Sequence, residues 1–158
     1  MIRRMEIRTV QRRTRNQICI WLIFGGLINL LAYTIIYAEL GGDAKNGRKM
    51  LVQNDDGTSR NVFFISGHFI HGNDGESAEV PRWVWIYSYL HSISLWPTQG
   101  VMVICMLILA RPHIIATMSE STWIQGPTFV AVVITLAAVV YSVPTVLFTI
   151  HFVTALLR

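Results

Sequence analysis

Three stretches of this chain, 18–38, 83–110 and 127–157, contain no Asp, Glu, Lys or Arg and are apolar almost throughout. A helix rises about 1.5 Å per residue, so about 20 apolar residues cross the hydrocarbon core of a bilayer. Each run reaches that length. Helices of a water-soluble protein carry a polar stripe toward solvent, and these runs carry none. The pattern predicts an all-α integral membrane protein with three transmembrane helices. The first run exceeds the roughly 7–15 apolar residues of a signal-peptide core, and no A-x-A site follows it. It reads as an uncleaved anchor.

The pattern changes between the first two runs. The stretch GGDAKNG, 41–47, predicts irregular structure. KMLVQ and RNVFFIS then flank NDDGT, which predicts a short β-hairpin over 49–66 within a segment spanning 39–82. An isolated hairpin is marginal in water. Its apolar patch Val62, Phe63, Phe64 and Ile65 therefore needs a cover, supplied by the span ends, the membrane surface or another protein. We read it as facing a partner. Pro81 suits the first turn of the second helix, with Glu79 beside that terminus. Trp83 and Trp85 have the spacing of an interfacial aromatic belt.

Charge sets the threading. Charged residues make up 14% of the chain, against roughly 25% in soluble domains. Segment 1–17 carries Arg3, Arg4, Arg8, Arg12, Arg13 and Arg15 against Glu6 alone. Such a cluster beside a first span holds the N-terminus in the cytoplasm. Segment 39–82, with five bases and seven acids, is then exterior, the loop 111–126 cytoplasmic and the C-terminus exterior. A bacterial inner (plasma) membrane fits this threading. The arginines also attract acidic headgroups. No aromatic interleaving or recognition motif accompanies them, so nucleic acid is not an expected partner. Cys19 and Cys105 both fall in the inner-leaflet halves of their spans, which leaves the exterior segment without a disulfide framework.

Candidate chemistry centres on histidine. His91 and His151 lie at depths that differ by about 3 Å if their helices are antiparallel neighbours. Around them, Asn29, Tyr33, Tyr87, Ser94 and Tyr141 recur at helical spacing and predict a polar cluster inside the bundle. Interhelical hydrogen bonding explains such a cluster without any cofactor. Haem b held axially by His91 and His151 is the alternative. His68 and His71, in SGHFIHG, are candidate metal ligands or plain turn residues, since a zinc site wants further ligands at recognisable spacing. Ala131, Thr135, Ala138 and Ser142 form a small-residue stripe suited to helix packing.

No H-E-x-x-H, G-x-S-x-G, P-loop or dinucleotide fingerprint occurs, and no span holds a carboxylate. The expectation is a non-enzymatic accessory or scaffold subunit of a larger membrane assembly, needing no cofactor. Its partners are the lipid bilayer and other membrane proteins, or further copies of itself. A haem- or metal-binding membrane protein and a small homo-oligomeric channel or carrier are the alternatives.

Overall fold

The computed structural model describes residues 2–53, 57–67 and 77–157, with side chains described from Gln11 onward. The elements are α1 (Ile2–Leu40), β1 (Asp43–Gln53), β2 (Ser59–Ser66), β3 (Ala78–Val80), α2 (Arg82–Thr117) and α3 (Gly126–Leu157). His68 and His71 lie outside the described residues, among which no cluster of metal-ligating side chains occurs. The chain is mostly helical, with three helices long and apolar enough to cross a membrane and one small three-stranded sheet. Two compact units divide it: Met1–Asn29 with Pro97–Pro144, and Leu30–Trp96 with Thr145–Arg158.

In the first unit the inward positions of α1 are Asn16, Cys19, Ile23, Gly26 and Asn29, a run of threes and fours that marks one helix face. Trp21, Leu22 and Phe24 on its other sides are exposed. Asn29 Nδ2 donates to Thr98 Oγ1 at 3.1 Å. The buried Cys19 and Cys105 thiols lie within hydrogen-bonding reach of each other. A Cβ built on Gly100 would stand 2.8 Å from the Cβ of Tyr141, so α2 and α3 meet where a side chain is missing. The helices also outrun the apolar runs. α1 includes the arginine-rich segment, which holds no Gly or Pro, and α2 continues through Pro112 to Thr117, shortening the expected loop 111–126.

The second unit holds the sheet. α1 ends in a Schellman motif, in which Gly42 N donates to the Tyr37 carbonyl at 3.0 Å and Gly41 N to that of Ala38 at 3.3 Å. Gly41 takes φ +70°, which a side chain would strain. The chain reverses there and enters β1 at Asp43, inside the stretch read as irregular. The irregularity is real but sits within the strand. β1 pairs antiparallel with β2 from Asp43↔Ser66, slips, and resumes at Arg48↔Phe64. β3 adds three pairs to the other edge of β2, placing Glu79 opposite Phe64. Glu79 is therefore a strand residue with a 3.6 Å ion pair to Arg60, and not a helix-terminal charge.

The patch 62–65 is turned inward. Phe63 and Ile65 join Ala44, Trp85, Tyr89 and Phe152 in one buried cluster, with Ile65 only 1% exposed. Val62 is also buried and Phe64 partly so, which leaves little of this patch to face a partner. The reason is period two: Phe63 and Ile65 share a face of β2, and that face closes on α2 and α3. Trp85 is 2% exposed and so is core, while Trp83 points outward. Tilted ring pairs run through this floor, with centroids 5.4 Å (Phe63–Trp85), 5.2 Å (Trp85–Tyr89) and 5.0 Å (Tyr89–Phe152) apart.

Candidate functional site

Asp43 ties the sheet to two helices. Its carboxylate is 5% exposed and accepts the Tyr33 hydroxyl of α1 at 2.9 Å and the Ser92 hydroxyl of α2 at 3.2 Å. The other carboxylate oxygen accepts the backbone N–H of Asn46 at 3.0 Å. One turn earlier on α2, Ser88 Oγ accepts the N–H of Ala44 at 3.1 Å. A buried carboxylate is tolerable only when its lone pairs are filled, and three donors do that here. The lock fixes β1 against α2 and thereby sets the walls of the cleft beside it.

That cleft has a volume of about 610 Å³ and lies between β1 and α3. Such a volume falls within the roughly 300–1,000 Å³ of ligand sites. Its floor is Trp85 and Tyr89. One wall is α3, with Leu147, Ile150 and Ala155 giving hydrocarbon and His151 and Thr154 giving polar groups. The facing wall is β1, with Arg48, Lys49 and Leu51, and Asn61 of β2 beside them. Among the described residues the only ion pair is Arg60–Glu79, so the cations of β1 have no carboxylate partner there. Each instead lies over an aromatic face: Lys45 over Phe148 at 3.8 Å, Arg48 over Phe64 at 5.7 Å and Lys49 over Phe63 at 5.9 Å. The indole N–H of buried Trp85 has no hydrogen-bond partner among the described residues. A buried donor left so costs about 1–3 kcal/mol.

The structure separates the two histidines of the sequence pattern. His151 Nδ1 shares a hydrogen bond with the Tyr89 hydroxyl. His91 sits edge-on to Tyr33 at 5.4 Å and to Tyr87 at 5.6 Å. Tyr89 and His91 are two residues apart on α2, so they point about 200° apart around it. Equal depth does not bring the imidazoles to one point, and this arrangement does not form an axial haem pair. His91 instead lines a cavity of about 10 Å³ with Tyr33, Asp43 and Ser88, and its Nδ1 has no partner among the described residues. That volume approaches one water molecule.

The other polar positions disperse. Ser94 returns its hydroxyl to the His91 carbonyl at 2.7 Å, Tyr87 is largely exposed, and Tyr141 packs on Gly100 in the first unit. Ala131, Thr135, Ala138 and Ser142 are all exposed, while Gly126, Val130 and Ala137 are the buried positions of α3 in that unit. The stripe thus takes no part in packing within the chain. Asp43, Ser88, Ser92 and the cleft cations were not legible as a site. The available signal was the i, i+4 pair Ser88/Ser92 in an apolar helix, since polar groups there seek a partner. No family profile, curated protein or solved structure matches this chain.

Proposed function

We propose that this chain is a non-enzymatic membrane protein that binds an anionic amphiphile, a phosphate-headed single- or double-chain lipid, in the cleft between β1 and α3. One observation carries the reading: Arg48 and Lys49, which have no carboxylate partner among the described residues, line one ligand-sized cleft together with Leu147 and Ile150. A phosphate would meet the guanidinium in a bidentate pair and the ammonium as a point charge. The hydrocarbon chain would lie along Leu147 and Ile150 of α3. The arginine-rich start of α1 supports a cytoplasmic N-terminus, with the sheet and its cleft then on the exterior side.

The scaffold reading has less support than it had on the hydrophobic pattern alone, because Val62, Phe63 and Ile65 are used inside the chain. What favours it is the last part of β1, where Met50, Leu51 and Val52 are exposed.

The test is the affinity of the full chain, in neutral detergent, for a single-chain phosphate amphiphile and for its uncharged glycerol counterpart. Each cation contributes about 1 kcal/mol near a charged headgroup, so R48Q/K49Q weakens phosphate binding about 25-fold and leaves the neutral compound unaffected. Equal affinity for both compounds would rule the reading out.

A further inference from the structure

A second cationic cleft lies in the other unit, where the arginines of α1 meet α2. Arg12 and Arg15 project from α1 at i, i+3, and Arg111 enters from α2. With Ile108, Pro112 and Ile115 they line a volume of about 570 Å³. No carboxylate lines this cleft, and none of its arginines forms an ion pair among the described residues. Arg15 donates to the Asn16 side-chain oxygen at 3.3 Å. The arginine count of the N-terminal segment alone predicts attraction to any acidic surface. The structure adds a third guanidinium from a different helix and an apolar wall beside it.

We propose that Arg12, Arg15 and Arg111 form a clamp for the phosphate headgroup of an acidic phospholipid, with a two-phosphate lipid fitting three guanidiniums best. Position along the chain selects lipid over a soluble polyanion. Arg15 stands three residues before Ile18, where the uncharged run of α1 begins, and Arg111 directly follows Ala110, where that of α2 ends. Ile108 and Ile115 supply hydrocarbon contact beside the charges, which a lipid uses and an inorganic or nucleic phosphate does not. Guanidinium forks on phosphate oxygens are short and directional, so the clamp discriminates by geometry as well as by charge. Basic pockets between helices on one side of a membrane recognise diphosphate and polyphosphate headgroups in this way. The clamp stands independently of the β1–α3 cleft.

Lipid retention by the full chain tests it, measured by native mass spectrometry after exchange into bilayers of phosphatidylcholine doped with a diphosphatidylglycerol lipid. The R48Q/K49Q background removes any contribution of the other cleft. Arg13 is one residue from Arg12 but does not line the clamp, which makes it the control of equal charge. R111Q and R12Q are each expected to lower diphosphatidylglycerol retention about fivefold, R111K to recover part of it, and R13Q to leave it within twofold. Equal losses for R13Q and R111Q would overturn the clamp, since charge alone would then explain binding. Preferential retention of single-stranded RNA over the lipid would overturn it too.

Discussion

At the scale of single residues, three glycines of the helices face different fates. A Cβ on Gly25 meets nothing within 4 Å, whereas one on Gly100 meets the Tyr141 Cβ at 2.8 Å, an atom that cannot swing aside. Gly26 faces the side chain of Met102, which is flexible enough to move. G25A is therefore expected to be neutral or to stabilise by up to about 1 kcal/mol, and G100A to cost about 1–3 kcal/mol. Thermal unfolding in detergent ranks them, and G100A no worse than G25A would remove the close α2–α3 approach. Asp43 gives the second residue-level prediction. Asp43→Ala strands the Tyr33 hydroxyl and the Asn46 N–H, at about 2 kcal/mol, while Ser92 keeps the Ser88 carbonyl at 3.0 Å; Tyr33→Phe removes one bond at about 1 kcal/mol. Asp43 escaped a reading by pattern because it stands outside every apolar run. Only the Schellman turn at Gly41 folds it back among the helices.

At the scale of elements, length and absence of charge identified the helices, because a bilayer-length apolar run has few other uses. The two short runs that pair antiparallel as β1 and β2 were legible for the same local reason, while the turn at 54–56 lies outside the described residues. β3 was not, since three residues hold too little pattern to stand out from a loop. Azimuth was the harder quantity. His91 and His151 were matched by depth, but which face each helix turns inward depends on side chains such as Trp85, Tyr89 and Phe152 that no single helix reveals. Arg60–Glu79 bridges β2 and β3 with both side chains more than half exposed, so screening leaves it little weight. Arg60→Ala is accordingly expected to shift unfolding far less than Asp43→Ala. The pairing of α1 with α2 has its own check. Oxidation with a membrane-permeant oxidant should join Cys19 to Cys105 within one chain, protecting both from maleimide. Continued labelling of both thiols, or joining between chains, would contradict the packing.

At the scale of the whole molecule, the contrast is between a well-packed sheet region and helices that turn most of their apolar surface outward. Only 11%, 17% and 6% of the most apolar windows of the three helices are buried, which in water would leave an apolar surface far beyond that of ordinary monomers. Trp21 is 71% exposed and Leu136 60%, positions that lipid covers readily. Against that background the cations of β1 stand beside hydrocarbon with no acid to balance them among the described residues. The most direct measurement is photo-crosslinking of a single-chain phosphate amphiphile to the full chain in a neutral bilayer, with the labelled peptides mapped. Binding in the cleft predicts labels within Arg48–Leu51 and Leu147–Ala155, lost in R48Q/K49Q and weak for the uncharged analogue. Labels confined to the exposed face of α1 around Trp21–Leu31, or equal for both amphiphiles, would contradict it.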